Sequence, residues 1–569
     1  MRPWAIIVGS LGIALAGMVN SQGASAAVET AGPVTLAPAQ GASIKIDAHF
    51  APHPTACPAK QKRNLHAAYG SKIQIGKAKD GKLFIVSEMT FENYLKGIAE
   101  VPRSWPIEAL KTQVVAARTY AMSHMNPNSQ LARDLGFNIC STDACQVFRG
   151  LGVERGAWGD RWSAAVTQTT GEILRYQGKP ANTFFFSTSD GHTYTNADAF
   201  GGSALAYLKP VIESDDGSSP YSHWKVRMPL ADLTESLRRA GVWKSGNIEQ
   251  VTASGSDVQM SNAGQTLKMT LDDLRKKLNA NAVCLEPKRY PTLGSDGRNL
   301  PETIPSRWMG VTTDGPDAVF EGRGWGHGVG MVQYGAKGKA DRSMSYSDIL
   351  AFYYAGLRPQ AVQEPSVIRV LIATGIDKVV IERQGEVKTD GAVLPDGPTE
   401  LTASPAGVAV WKAPKINPVF GLTEVAMIGP SKIGFTLSNA ALVSLEVRRK
   451  DVSAAKQVVQ GPVPMERGMQ AIEIDKSTLG SGSYDVDVLT TDGVDEVRSQ
   501  SFTFGSTGPS PTPSNRRQGA PRSGRSSAGG TNRSPKMDRG LVVAALVLVG
   551  GALAMLVGWR IRSTRRYRN

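Results

Sequence analysis

Apolar and polar residues are distributed along this chain in three distinct ways. Up to residue 357 the pattern is mixed. Ile73–Ile75 and Lys82–Val86 read as strands, followed by a predicted helix over Phe91–Ile98 that must stop at Val101-Pro102. Ile107, Leu110, Val114, Ala117 and Ala121 recur at helical spacing, which predicts a second helix over Ile107–Met122; Pro106 is tolerated in its first turn. Asn182–Ser187 is an apolar, strand-like run and Ser347–Tyr354 a helix-like one. Strands and helices mix without regular βα alternation, so the predicted class for a main domain over residues 44–357 is α+β.

Residues 365–505 alternate with a period of two. Val367–Ala373, Lys378–Arg383, Leu442–Arg448, Met469–Ile474 and Tyr484–Leu489 predict strands, with Gly, Asp and Asn in the turns between them. From 506 to 539 the composition turns to Pro, Ser, Gly, Arg and Asn, which can bury no core and predicts a disordered linker.

The third pattern is the uninterrupted apolar run. Residues 541–559 carry no charge and are long enough to span a hydrocarbon core as a helix, and the tail 560–569 is basic without an acidic residue. Positive residues stay on the cytoplasmic side, so the bulk of the chain is expected outside a bacterial cell membrane, held by this single span. Residues 1–26 have Arg2, an apolar stretch and a small-x-small site at Ala24-Ser25-Ala26, the pattern of a cleaved signal peptide. The net charge of +14 would suit nucleic acid, but export removes that partner and an anionic cell envelope replaces it.

Export also permits disulfides. Cys57, Cys140, Cys145 and Cys284 allow three complete pairings, of which Cys140–Cys145 with Cys57–Cys284 is taken forward. A metal at Cys140 and Cys145 is the rival, weakened because no histidine lies between or beside them.

Among the acidic residues Glu100 stands out. It follows the predicted helix ending at Ile98, where the dipole disfavours a carboxylate, and Ile98, Val101 and Trp105 are its apolar neighbours. Both effects raise a carboxyl pKa, as a general acid at neutral pH requires. Glu108 falls in the first turn of the next helix, where a carboxylate is favourable, and needs no functional reading. Lys111 and Arg118, seven residues apart, share a helical face. Gly322, Gly324 and Gly326 do not meet the dinucleotide-binding spacing, since His327, Val329 and Met331 occupy the sixth positions. Ser189, with Asp190 and His192 so near, does not read as a catalytic triad.

Three ordered segments carry a family resemblance: Tyr94 to Ala121 with Glu100, Lys111 and Arg118; Cys145-Gln-Val-Phe-Arg-Gly150 through Ser189-Asp-Gly-His to Tyr207; and Gly322-Arg-Gly-Trp-Gly-His-Gly-Val-Gly-Met-Val-Gln333. Together they closely resemble the stage II sporulation protein D and amidase-enhancer family. That resemblance implies a lytic transglycosylase, cleaving peptidoglycan between N-acetylmuramic acid and N-acetylglucosamine with Glu100 as the catalytic acid. It also implies a substrate cleft with Lys111, Arg118, Ser189, His327 and Gln333, and no cofactor. The same family contains non-enzymatic enhancers of a cell-wall amidase, and this alternative stays open, as does a surface adhesin. Some members hold zinc near the Cys140–Cys145 segment, with a histidine beside the second cysteine. Ala144 takes that place here, so no metal is expected. Ile433–Phe504 resembles the small Ig-like domain of flagellar hook-capping proteins, which implies a β-sandwich at about 430–505.

Overall fold

The computed structural model describes residues 28–52, 57, 64–285, 303–450, 457–474, 479, 481–499 and 501–507. Its centre is an 11-stranded sheet built from strands within residues 28–140 and 368–412. The strand Ile368–Gln384 is the hub. Leu83–Met89 and Ser43–Phe50 pair with it antiparallel along different stretches, Thr399–Ala403 pairs antiparallel, and Ile139–Cys140 pairs parallel. The two strands predicted at 367–373 and 378–383 are therefore one, with register shifts between Leu371 and Ala373 and between Thr374 and Ile376. Alternation drives the assembly: Ile44 and Ile46, Ile73 and Ile75, Leu83 and Ile85, and Val379 and Ile381 are each fully buried.

Against this sheet lies a group of helices around Ile107–Ser123. Ala109, Leu110, Val114, Val115, Ala116, Ala117 and Ala121 are all buried, so this helix is apolar on most of its circumference and runs through the core. Helices Gly159–Gln168, Gln333–Asp341 and Tyr346–Tyr353 surround it.

Residues 224–322 form a lobe of their own. A six-stranded sheet, carrying helices Leu230–Arg239 and Leu271–Leu285, closes over Leu233, Leu237, Met260, Leu274 and Phe320. The lobe leaves and re-enters the main body at paired residues, Trp224 opposite Gly322. Gly322 is required there: a Cβ would come within 2.3 Å of the Trp224 ring. The Cys57–Cys284 disulfide ties the end of the helix Leu271–Leu285 to the segment after the strand Ser43–Phe50. Cys140–Cys145 is the second disulfide, so both pairings taken forward from the sequence are present.

Residues 420–507 make a three-stranded and a five-stranded antiparallel sheet that share one core of Phe435, Val443, Leu445, Val486 and Val488. The module is fixed to the main body by Asp495. One carboxylate oxygen lies 2.5 Å from Lys45 Nζ and 3.1 Å from His66 Nε2, while the other accepts the N–H groups of Val419 and Phe420 at 2.6 and 2.9 Å. Burial pushes the Asp495 pKa up, but these four partners outweigh it and hold the carboxyl at about 2.

Two boundaries differ from the sequence reading. The main body does not end at 357, because strands between 368 and 412 complete its sheet; they were grouped with the β-rich region because alternation cannot say which sheet a strand joins. The last strand, Phe502–Thr507, runs just past the expected linker start at 506. No helix among the described residues is long and apolar enough to cross a membrane. The signal peptide, the rest of the linker, the apolar run at 541–559 and the basic tail lie outside the described residues.

Candidate active site

The helix leading to Glu100 is shorter than predicted. It covers Phe91–Lys96, with the Thr90 hydroxyl accepting from the Asn93 N–H, and it ends at Gly97. A Cβ at Gly97 would lie 2.3 Å from the Phe148 ring, so the glycine lets residues 97–99 run flat against 147–149. Ile98 pairs with Phe148, Ala99 N–H donates to Val147 O (2.8 Å), and Arg149 N–H donates to Gly97 O (2.8 Å). Glu100 then turns back so that its Oε1 accepts the Val147 N–H at 2.6 Å. The helix-dipole argument for this carboxylate therefore fails: three residues separate it from the helix end at Lys96. Burial instead raises its pKa from 4.5 to about 7, against the Val147 N–H, which lowers it; exposed Asp143 adds to the rise and Arg149 opposes it. Part of the side chain still reaches solvent.

The other two resembling segments converge on this residue. Gln146, beside Val147, accepts from the buried Tyr94 hydroxyl at 2.6 Å and donates to Ala117 O at 3.3 Å. Gln333, at the start of its helix, donates to the backbone carbonyl of Glu100 at 3.4 Å and to Gln113 Oε1 at 3.2 Å. It holds the acid's main chain rather than facing a ligand, since its side chain is buried. Tyr120 is close enough that burial and the Glu100 charge together raise its pKa.

His327 lies one aromatic layer further on. Tyr120 packs edge-on to Phe184 (6.1 Å), and the His327 ring sits 6.0, 5.5 and 5.3 Å from Phe184, Phe186 and Phe200. Burial pulls its pKa down to about 4 despite a backbone hydrogen bond at Phe185, so the imidazole is neutral. Its Nδ1 accepts the Val329 N–H at 3.1 Å, leaving the proton on Nε2. Gly324, Gly326, Gly328 and Gly330 all have positive φ (77°, 119°, 86° and 75°), and a Cβ on Gly330 would come within 2.1 Å of Phe184 O. The alternating glycines let this loop press against the segment 184–188.

Three residues expected in the cleft are committed elsewhere. Arg118 is fully buried; its guanidinium donates to the carbonyls of Thr169 (2.6 Å) and Val166 (3.3 Å), and its Nε lies 2.6 Å from Glu364 Oε1. At Arg118 this helix face is covered by the turn after helix Gly159–Gln168. Lys111 pairs with Glu108 at 3.0 Å and lies over the Tyr346 ring, while Glu108 also accepts the Tyr346 N–H at 2.8 Å. Ser189 is buried, its hydroxyl and its N–H both donating to Asp216 at 2.7 and 2.8 Å. Sequence reasoning passed over Gln113, Tyr120 and the Val147 N–H. Gln113 and Tyr120 carry the same seven-residue spacing as Lys111 and Arg118, and that signal identifies them.

Among the described residues, no group of three or more His, Cys, Asp or Glu side chains is placed to hold a metal ion.

The match to known proteins covers this same site. The family model described as stage II sporulation protein matches residues 79–176, the stretch from the strand before Glu100 to the turn that buries Arg118. Stage II sporulation protein D of Bacillus subtilis (strain 168) is 33% identical over 285 residues, 48% of this chain and 74% of that protein. The protein of the same name from Bacillus amyloliquefaciens is 32% identical over 286 residues, with the same coverage. An amidase enhancer of Bacillus subtilis (strain 168) is 30% identical over 297 residues but is covered over only 39% of its length. With the Glu100 site assembled from the three segments that carry the likeness, and with a relative matched over three-quarters of its length, this chain belongs to the stage II sporulation protein D family.

Proposed function

We propose that this protein acts on the bacterial cell wall as a lytic transglycosylase, cutting the bond from N-acetylmuramic acid to N-acetylglucosamine with Glu100 as the acid. The observation that carries this reading is a largely buried carboxyl with its pKa at about 7, fixed through one oxygen by a backbone N–H. With Oε1 accepting from Val147, Oε2 is left to carry the proton. In the reaction that proton goes to the glycosidic oxygen as its bond to the anomeric carbon breaks. The muramoyl C6 hydroxyl then attacks that carbon and gives its proton to the Glu100 carboxylate, so a 1,6-anhydro ring forms and no water is consumed. A hydrolase would instead need a second carboxyl as base or nucleophile. The carboxylate that Glu100 senses is exposed Asp143, in the loop closed by the Cys140–Cys145 disulfide.

Gln333, held in turn by Gln113, fixes the main chain of Glu100, and neutral His327 lies in an aromatic setting suited to a sugar ring. The proposal includes the organisation read from sequence: a chain exported by its N-terminal signal, an Ig-like sandwich at about 430–505, and a single membrane span after the linker. The name of one relative, an amidase enhancer, supports a second reading in which the same site binds glycan without cutting it.

Purified wild type, Glu100→Gln and Asp143→Asn proteins incubated with peptide-stripped glycan decide between these. Anhydromuramoyl ends should be released by wild type and by Asp143→Asn, and fall at least ~10²-fold in Glu100→Gln. Loss of product in Asp143→Asn with reducing ends in wild type would mean a two-carboxyl hydrolase; binding without product in wild type would mean an enhancer.

A further inference from the structure

A large cleft lies away from Glu100. It has a volume of about 1380 Å³ and opens between the 224–322 lobe and the segment 190–198. Its wall begins where the active-site aromatics end: Phe186, which packs on His327, also packs on Trp308 at 6.3 Å. Trp308 in turn stacks parallel to Tyr194, with centroids 5.6 Å apart and planes within 5°. The Arg307 guanidinium lies over both rings, 5.3 Å from Tyr194 and 5.9 Å from Trp308. Trp308 and Arg307 are both half-buried, so this stack forms a shelf that solvent still reaches.

The charges around the shelf are unevenly matched. Lys225 on the rim is already paired with Glu321 at 2.5 Å, and Asp272 with Arg275 and Lys276. Asp190 accepts from the Tyr194 hydroxyl at 2.8 Å, and Asp198 caps the helix that starts at Asn196, its pKa lowered first by Thr195 and to a smaller extent by the Arg307 charge. Arg307 and Arg323 both line the cleft, and among the described residues neither has a carboxylate within ion-pair distance. The two basic residues that the family resemblance places in the substrate cleft, Lys111 and Arg118, are by contrast paired with Glu108 and Glu364. A planar guanidinium held against aromatic rings loses little freedom on meeting a carboxylate and is suited to a bidentate contact.

Resting on the proposed action on peptidoglycan, we infer that this cleft is a second, non-catalytic binding site that takes a carboxylate-bearing unit of the wall polymer on the Trp308–Tyr194 shelf, with Arg307 and Arg323 meeting the carboxylate. Two sources share that chemistry: the lactyl group of muramic acid in peptide-free glycan, and the free carboxylates of an attached peptide. The site holds the strand beside the acid and selects which strands are held.

The test is binding by full-length protein carrying Glu100→Gln, so that turnover cannot interfere. The probes are peptide-free glycan, the same glycan with its lactyl carboxylates reduced to alcohols, and intact peptidoglycan. Reduction of the carboxylates should weaken binding at least tenfold. Adding Arg307→Gln and Arg323→Gln should weaken binding to unreduced glycan by the same factor and leave binding to reduced glycan unchanged, the signature of a direct pair. Arg323→Gln alone, at an exposed position, should give part of the loss, and Lys225→Gln none. If the arginine substitutions weaken binding to intact peptidoglycan but not to peptide-free glycan, the carboxylate is the peptide's; the reverse assigns it to the lactyl group. If the substitutions change neither while the parent protein still binds glycan, the cleft inference is overturned and the Glu100 reading stands. If the parent binds no form of glycan, the functional reading itself is wrong.

Discussion

A carboxylic acid that keeps its proton up to about pH 7 changes the stability of the native state as well as its chemistry. Unfolded, Glu100 releases its proton near 4.5; folded, near 7. Between those values the native state holds a proton that the unfolded state has lost. Stability from this group therefore falls as pH rises from 4.5 to 7 and stays low above 7. The deficit is about 3 kcal/mol at most, and less because part of the side chain is solvated. Glu100→Gln carries no such penalty. It should be inactive yet unfold at higher denaturant concentration than wild type at pH 8, with the two curves converging near pH 4. Equal midpoints at pH 8 would mean that the carboxyl is already relaxed by water. The sequence made Glu100 visible, but for one wrong reason and one right one. Its apolar neighbours do raise its pKa; the helix dipole does not, because the helix stops at Lys96. Arg118 and Ser189 were misread for a related reason: sequence shows that a side chain is polar, not that a carbonyl or carboxylate already occupies it.

At the scale of elements, the loop from Gly322 to Gly330 is the part most dependent on local backbone chemistry. An alanine at 330 must adopt a left-handed conformation, costing about 1–2 kcal/mol, and must also displace the Phe184 carbonyl. Gly330→Ala should lower the melting temperature and reduce activity together, because Phe184 is one wall of the His327 setting. Gly315→Ala, at φ 57° with nothing within 4 Å, should lower stability by only about 1 kcal/mol and leave activity intact. Thermal melts and product assays on the two variants separate these outcomes. Two helices were legible from the sequence, Ile107–Ser123 and Tyr346–Tyr353, each within a residue of its predicted bounds, whereas Gly159–Gln168 and Gln333–Asp341 were not predicted. Nor was the 224–322 lobe legible. Its strands, such as Gln265–Thr270, are short and expose every second residue, so their alternation merges with that of ordinary polar loops.

On the scale of the whole molecule, the Asp495 contacts join the C-terminal module to the body as one solid piece. Its carboxylate pKa of about 2 means that this attachment is complete above pH 4 and is lost as pH falls toward 2. Asp495→Asn leaves Lys45 buried and uncompensated, a change that typically costs 3–5 kcal/mol. Limited proteolysis should then release a fragment beginning near residue 420 that wild type protects; identical digestion patterns would show that packing alone holds the module. The domain limits read from the sequence lead to a further expectation. A protein consisting of residues 44–357 contains every recognisable motif but lacks Ile368–Gln384, and should fail to give a cooperative melt, whereas one extended through residue 507 should melt cooperatively.

That hub strand also sets a timetable. Glu100, the Val147 N–H and Gln333 are all made before Ile368–Gln384 exists, yet the sheet beneath them closes only when that strand arrives. Pairings as distant as Ser43 with Gln384 make closure late and non-local, the kind of contact that slows folding. Until then the strands Ser43–Phe50 and Leu83–Met89 lack the partner that lies between them in the sheet. The sequence around Glu100 is thus complete well before the strands over 368–412 that close the sheet supporting it.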